Sequence, residues 1–261
     1  MKKARTITAC LIAIAISLSI LCVPTLAAVG NSDDISDAVA YVSQAFQQDR
    51  YTIKIPKSYL VDPSGQKTVK EMVSRIYHEA FRQSTYMFVA EKNTMTNYGH
   101  EVVIRRRPLF SQQEEEAMIE ATSVAAKEIL SEIIKPGMDD MQKASAIFEY
   151  ISENTEYDMY TYRTALSSKN WRSDRTVVTA MNAYGCLVLR KAVCGGYAQA
   201  FNLLAREAGL LSQTRVDIIN GINHAWNQVL IDNHWYTLDC TLKMFFASES
   251  EYFSAVALIT I

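Results

Sequence analysis

The sequence predicts an α+β fold, in which helices precede a run of antiparallel strands. The first observation is a series of segments with apolar residues at helical spacing between positions 28 and 155. The second is a set of three alternating polar and apolar segments at 213–219, 222–231 and 234–241. Asn220-Gly221 and Asp232-Asn233 join these segments and indicate two-residue hairpin turns. Helices followed by paired strands in this order are typical of an α+β domain.

Residues 1–27 have the charge and hydropathy order of a secretory signal peptide. Basic residues within the first five positions precede an apolar run from Ile7 to Val23, and the small-residue site Thr25–Ala27 follows. We expect cleavage after Ala27 and a mature protein that is secreted or held at the cell surface. The alternative is an uncleaved membrane anchor, because the run is near the shortest length that spans a bilayer.

Length, composition and charge indicate a globular protein and limit the partners that it can bind. The 261 residues allow one large domain or two small ones, and 49% hydrophobic residues can bury a sizeable core. The formal net charge is −2, and basic residues are scattered apart from Arg105–Arg107. We therefore expect no nucleic-acid partner and no electrostatic binding to an anionic membrane.

Residues 28–137 are predicted to form an N-terminal region of helices and short strands without catalytic features. Apolar residues from Ile35 to Phe46 share one helical face. Two S/T-x-x-E capping boxes, at 68–71 and 111–114, begin two further amphipathic helices, and Pro136-Gly137 ends the second of them. Strand-like segments lie at 51–55, 86–90 and 101–106, and a helix over 139–154 opens the second region, 138–261.

The segment from Tyr157 to about Thr179 is polar, rich in tyrosine and without a clear period. It is longer than most connections inside a compact domain. We interpret it as a lid or substrate loop, and the alternative is a set of short elements that cover the core.

Cys194 lies at the start of a helix that Gly209 closes. The unpaired N–H groups and the positive end of the helix dipole favour thiolate over thiol at this position. The same N–H groups can stabilise an oxyanion, and Gly195 and Gly196 let a substrate backbone come close. A buried structural cysteine followed by a flexible helix start is the alternative.

Hairpin parity brings a histidine and a carboxylate together. If Asp232-Asn233 is a two-residue loop, Trp226 pairs with Asp239, and His224 becomes a diagonal neighbour of Asp239 at roughly 7–8 Å. An aspartate that orients an imidazole beside a thiol is the arrangement of cysteine hydrolases. An Asn220-Gly221 turn places Asp217 directly opposite His224, so parity does not choose between the two carboxylates.

The cysteines leave a second alternative open. After signal removal Cys186, Cys194 and Cys240 remain, and an odd number outside the cytoplasm is typical of one disulfide and one working thiol. Three reduced, buried cysteines are also compatible with the sequence. These thiols and His224 could bind zinc, although the absence of a close pair such as C-x-x-C disfavours a metal site.

Three ordered motifs resemble those of the bacterial transglutaminase-like superfamily. They are AYGCLV with KAVCGGYAQAFNLL at 183–188 and 191–204, HAWNQV at 224–229, and WYTLDCT at 235–241; NTEYD at 154–158 is similar to the segment that commonly precedes the core. The resemblance implies a papain-like α+β transglutaminase core at 138–261, with the nucleophile helix packed on an antiparallel sheet and an N-terminal α/β extension. It further implies Cys194, His224 and Asp239 as the catalytic triad, with no cofactor and no metal.

Two features depart from the family pattern. Cys240 stands where proline or valine is usual, which would support a Cys186–Cys240 disulfide. The chain also ends about twenty residues later, where relatives often continue through more of the sheet.

The expected function is attack of Cys194 on an amide carbonyl of a peptide or protein, through a thioester intermediate. Hydrolysis, deamidation and protein cross-linking all use this chemistry, and we favour a peptidase or amidase that acts on extracellular or cell-wall peptides. The alternative is a catalytically silent binding module at the cell surface, which would not need a thiol, an imidazole and a carboxylate together. The sequence does not set the oligomeric state.

Overall fold

The structure is a computed structural model that describes residues 35–49, 51–62, 64–84, 92–246 and 248–257. The predicted signal peptide and the predicted strand at 86–90 lie outside these residues. In the ranges described, no helix has the length and apolar character needed to cross a bilayer.

The described N-terminal elements are two helices packed on an antiparallel sheet. Helices α1 (Ser36–Gln48) and α2 (Val69–Gln83) cover strands β1 (Thr52–Pro56), β2 (Lys92–Asn97) and β3 (Glu101–Arg107), in the order β1-β3-β2. Their buried residues form a hydrophobic cluster of their own, which includes Val42, Phe46, Ile53, Ile76 and Ile104. The capping box that begins α2 is present as predicted. Strand β2 was not predicted, because all six of its residues are exposed and its sequence therefore shows no alternation of apolar and polar residues.

Two long helices lead into the second region. Helix α3 (Gln112–Ile133) starts at the predicted capping box of Ser111, and α4 (Asp140–Asn154) starts at Asp139, whose side chain accepts the N–H of Gln142. Residues on one face of each helix enter a core cluster that they share with the helix that begins at Cys194: Ala126, Ile129, Ile147 and Ile151. The predicted helices are confirmed.

The tyrosine-rich segment contains short elements, as the alternative interpretation expects. In order they are β4 (Glu156–Tyr157), α5 (Met159–Ser167), a 3-10 turn at Trp171–Ser173 and α6 (Arg175–Ala180); α7 (Ala183–Leu187) and β5 (Lys191–Ala192) follow the segment. Strand β4 runs parallel to β5 and pairs Tyr157 with Ala192. This pairing brings Tyr157 beside the residues that immediately precede Cys194.

The second sheet carries the predicted hairpins. Strands β6 (Leu211–Ile219), β7 (Ile222–Ile231), β8 (His234–Asp239) and β9 (Met244–Phe246) are antiparallel neighbours in chain order. Helix α8 (Cys194–Glu207) packs on this sheet, where the side-chain amide of Asn227 donates to the carbonyl of Ala198 at 2.9 Å. Helix α9 (Glu249–Val256) follows β9. The α+β prediction, with a helix on an antiparallel sheet, is confirmed.

Both hairpin registers agree with the parity argument. Asn220-Gly221 and Asp232-Asn233 have positive φ angles at all four residues, as type I′ turns require. Asp217 therefore pairs with His224, and Asn227 pairs with Leu238. The β7–β8 pairing ends there, one residue before the Trp226–Asp239 pair that the parity argument used.

Gly196 is required by packing inside the protein. A Cβ atom at this position would lie 2.4 Å from the carbonyl oxygen of Ala180 and 2.8 Å from the Cβ of Ala192. At Gly195 the nearest neighbour, the carbonyl oxygen of Met181, would be 3.4 Å away. Close approach of helix α8 to its neighbours therefore accounts for Gly196, in place of the substrate contact suggested by the sequence.

We expect Gly196→Ala to lower the free energy of unfolding by about 2–4 kcal/mol, because a backbone carbonyl cannot yield as a side chain can. Gly195→Ala is the matched control and should change it by less than about 1 kcal/mol, since alanine is the better helix former. Urea denaturation of both variants measures the difference. Equal stabilities would contradict the packing explanation.

Candidate active site

Cys194 is the first residue of helix α8. Its predecessor Val193 has extended backbone angles and makes no side-chain capping bond, and the N–H of Val193 donates to the carbonyl of Ala180 at 3.0 Å. The Cys194 side chain is partly exposed, whereas Cys186 and Cys240 are buried. The structure thus places this thiol at an uncapped helix N-terminus that solvent can reach.

His224 and Asp239 form a buried hydrogen-bonded pair. Nε2 of His224 lies 2.6 Å from Oδ2 of Asp239, and the two residues are only 6% and 1% exposed. The Cys194 side chain is close enough to the imidazole to help raise the pKa of His224. Since Nε2 is engaged by the carboxylate, Nδ1 is left for the thiol. The structure therefore brings together the three residues that were selected from the sequence.

The environment of His224 favours its protonated form. Burial acts to lower the pKa of this imidazole, but the hydrogen bonds to Asp239 and Cys194 and the charges of both groups raise it to about 10. The imidazole is thus positively charged at neutral pH, with an acidic partner on each side.

Asp239 is held by hydrogen bonds to both carboxylate oxygens. Oδ1 accepts the backbone N–H groups of Thr241 and Leu242 at 2.9 and 3.1 Å. Oδ2 accepts the phenol of Tyr252 at 2.9 Å, in addition to His224. These bonds fix the carboxylate in one orientation toward the imidazole.

Asp217, the rival carboxylate, plays a different part in the structure. It stands opposite His224 in the β6–β7 register, yet its residue is exposed and its Oδ1 accepts the N–H of Ile218 at 2.7 Å. The imidazole of His224 points to Asp239. Register alone could not make this distinction, because both carboxylates satisfy the same parity.

Two tyrosines of the tyrosine-rich segment, Tyr157 and Tyr162, lie close to Cys194. The phenol of Tyr157 is close enough to Cys194 for both the backbone N–H and the side chain of Cys194 to affect its pKa. Burial and the charge of Cys194 raise the pKa of both Tyr157 and Tyr162 above the ordinary phenol value. Their rings are 5.9 Å apart, and within the described ranges the buried hydroxyl of Tyr162 has no hydrogen-bond partner. The phenol of Tyr157 therefore lies near the backbone N–H and the side chain of Cys194.

The other two cysteines are free and belong to the core. Burial raises the pKa of the Cys186 thiol to about 12, and burial also raises that of Cys240. Cys186 Sγ lies 3.3 Å from the hydroxyl of Thr155. The suggested Cys186–Cys240 disulfide is not formed. Among the described residues, no three His, Cys, Asp or Glu side chains group so as to hold a metal ion.

Tyr157 and Tyr252 were not selected as site residues from the sequence. Tyr157 occurs in the NTEYD segment, where only a long-range pairing of β4 with β5 reveals its place beside Cys194. Tyr252 lies on α9, and the one available signal was a capping box formed by Ser248 and Glu251.

Part of this chain is similar to known proteins. The family model described as the transglutaminase-like superfamily matches residues 127–240, which include Cys194, His224 and Asp239. The human kyphoscoliosis peptidase is 29% identical over 154 residues, which cover 53% of this chain and 22% of that protein. The mouse kyphoscoliosis peptidase is 24% identical over 145 residues, which cover 51% and 20%. The chain thus spans about a fifth of the length of these curated relatives.

One solved structure that aligns with this chain is described as a crystal structure of a TGase. The alignment covers 57% of this chain and 44% of the other, with 16% identity and a TM-score of 0.40. The family match, the order of the three motifs and the helix on the antiparallel sheet agree with one another. Residues 127–240 of this chain are accordingly a domain of the transglutaminase-like superfamily.

Proposed function

We propose that this protein is a thiol enzyme that cleaves or transfers the acyl group of peptide amides. The observation that carries the proposal is the buried His224–Asp239 pair, in which the imidazole meets the carboxylate at 2.6 Å, with the Cys194 side chain near enough to raise the pKa of the imidazole. A thiol, a base and a group that orients the base are the parts that nucleophilic acyl transfer requires.

The first half of the reaction is acylation of Cys194. The thiolate sulfur attacks the amide carbonyl carbon, and the carbonyl oxygen becomes an oxyanion. The phenol of Tyr157 lies near the N–H and the side chain of Cys194, so the phenol and this N–H can both donate to the oxygen. His224 then gives its Nδ1 proton to the amide nitrogen, the C–N bond breaks, and the amine leaves a thioester on Cys194.

The second half restores the free thiol. In the resting site the thiol–imidazole contact helps to raise the pKa of His224, and the thioester removes that contribution. The pKa of the imidazole therefore falls once the thioester has formed. His224 can then take a proton from water or from an acceptor amine as that nucleophile attacks the thioester carbon. Expulsion of the sulfur yields the acid or a new amide. It leaves the Cys194 thiolate beside the protonated His224, ready for the next substrate.

The substrate that we favour is an extracellular or cell-wall peptide, with hydrolysis as the main outcome. The signal-like residues 1–27 support a location outside the cytoplasm. The name of the human relative, a peptidase, supports cleavage over cross-linking for this chain as well. Because the two chains share only part of their length, this is a proposal about the domain and not a transfer of the whole relative's activity.

A single assay separates the possible outcomes of the thioester. The mature protein is incubated with a pool of peptides, including glutamine-containing and cell-wall peptides, with and without a primary amine. Mass spectrometry measures backbone cleavage, conversion of glutamine to glutamate, and amine incorporation. The Cys194→Ala variant is the control.

We expect cleavage or deamidation that requires Cys194, with amine incorporation as a minor product. Dominant amine incorporation would assign cross-linking in place of hydrolysis. Equal product formation by the wild type and the Cys194→Ala variant would contradict the proposal, since the nucleophile would then play no part.

A further inference from the structure

Helix α9 supplies a side chain to the same carboxylate that orients the histidine. Tyr252 is fully buried, and its hydroxyl donates to Oδ2 of Asp239 at 2.9 Å. This is the oxygen that also binds Nε2 of His224 at 2.6 Å. Tyr252 lies beyond residue 240, where the family match ends, so the match assigns it no role.

The position of α9 is fixed by contacts at several points. Its N-terminus has a capping box between Ser248 and Glu251, and Glu249 forms an ion pair with Arg215 of β6 at 3.4 Å. Near its C-terminus, the side-chain amide of Asn220 in the β6–β7 turn donates to the carbonyl of Val256 at 3.3 Å. The helix is therefore bound to the strand pair that carries His224.

Aromatic packing joins Tyr252 to His224 through one intervening ring. The Tyr252 and Trp226 ring centroids are 5.2 Å apart, and Trp226 is stacked with the His224 ring at 6.2 Å. Ile219 and Val256 complete the small cluster under these rings. The ring of Tyr252 thus packs in an apolar cluster while its hydroxyl contacts Asp239.

We propose that Tyr252 is a positioning residue of this site, whose hydroxyl fixes Oδ2 of Asp239 for its hydrogen bond to His224, so that α9 forms part of the catalytic centre. The inference rests on the proposed function of the Cys194–His224–Asp239 group. Two donors on Oδ2 and the backbone N–H groups of Thr241 and Leu242 on Oδ1 leave the carboxylate no other orientation.

The phenol also affects how strongly Asp239 holds the imidazole proton. A donor to Oδ2 withdraws part of the carboxylate charge, and its loss makes that oxygen a stronger partner for imidazolium. The titratable groups near this pair come from four elements: His224 on β7, Cys194 on α8, Tyr157 on β4, and Tyr252 on α9, with Cys240 directly after β8. Replacing Tyr252 by phenylalanine changes only one of them.

The test compares Tyr252→Phe with Tyr150→Phe in the full mature chain. Tyr150 is a matched control, because its hydroxyl accepts a single bond from Arg190 at 2.7 Å and does not contact Asp239. The first readout is the NMR titration of the His224 imidazole, which needs no substrate. The second is kcat and KM on whichever peptide the wild type converts.

In Tyr252→Phe we expect the His224 titration to move to higher pH by about half a unit to one unit. We also expect kcat to fall about tenfold or more with KM little changed, because the imidazole is less precisely placed. Tyr150→Phe should show neither effect. An unchanged His224 titration and an unchanged kcat in Tyr252→Phe would overturn the proposal and leave Tyr252 a packing residue.

A second substitution keeps the test decisive if Tyr252→Phe does not fold. Incorporation of 3-fluorotyrosine at position 252 keeps the ring and makes the hydroxyl a stronger donor. The His224 titration should then move in the opposite direction, to lower pH, and no shift would overturn the proposal. If these shifts occur but Cys194 proves inert in peptide assays, the proposed function fails and the Tyr252–Asp239 link stands. If Cys194 is active and the titration of His224 is the same in both substitutions as in the wild type, only the inference about Tyr252 fails.

Discussion

Asp239→Asn is expected to lower kcat/KM by about 10³-fold or more while the protein remains folded. The amide keeps one oxygen, which the turn N–H groups of Thr241 and Leu242 can still occupy as they now occupy Oδ1. The amide NH₂ then faces Nε2 of His224 and makes this nitrogen an acceptor. The proton moves to Nδ1, so the neutral imidazole cannot accept the proton of the thiol.

Asp217→Asn is the matched control for this prediction. Asp217 pairs directly with His224 in the strand register, but its carboxylate bonds the N–H of Ile218 in its own strand. We expect its kcat/KM to stay within about twofold of the wild type, as for a surface change that touches no reacting group. Steady-state kinetics, with circular dichroism to check folding, distinguish the two variants. Loss of activity in Asp217→Asn, with activity kept in Asp239→Asn, would reverse the assignment of the orienting carboxylate.

The helices could be predicted from the sequence because their signals are local. Capping boxes place Thr68 and Ser111 at the starts of α2 and α3, as the structure has them. Apolar spacing identified α4 and the nucleophile helix α8 for the same reason. The residues that predict these helices are only three or four positions apart, so a short stretch of sequence contains the whole signal.

The sheet register was also predictable, since two type I′ turns leave little freedom. Asn220-Gly221 and Asp232-Asn233 fix which residues of β6, β7 and β8 face each other. Parity alone could not show whether Asp217 or Asp239 bonds the imidazole of His224. That choice depends on which way the His224 ring rotates, and the structure shows it bonded to Asp239.

The rest of the site depends on contacts between distant parts of the chain. Tyr157 reaches Cys194 only because β4 pairs with β5, and a polar stretch without periodicity gives no sign of this pairing. Tyr252 reaches Asp239 only because α9 packs on β7. From the sequence, Gly196 was interpreted as a position where a substrate backbone can come close. In the structure, the nearby carbonyl of Ala180 is the reason that this position lacks a side chain. Packing of this kind is not encoded in any short window of sequence.

The most direct test of the account is the alkylation rate of Cys194 by iodoacetamide in the reduced mature protein. Peptide mass mapping separates its modification from that of Cys186 and Cys240, which are buried. The wild type is compared with His224→Ala across the pH range from about 5 to 9, which brackets the ordinary histidine value. His100→Ala, which changes an exposed histidine of the N-terminal part, is the matched control.

We predict that Cys194 reacts far faster than the two buried thiols near neutral pH. His224→Ala should slow Cys194 by about 10²-fold, because the imidazolium that stabilises the thiolate is lost. His100→Ala should leave the rate unchanged. If Cys194 in the wild type instead reacts no faster than in His224→Ala, the thiol and imidazole do not work together, and the domain is a binding module that keeps the fold without the chemistry.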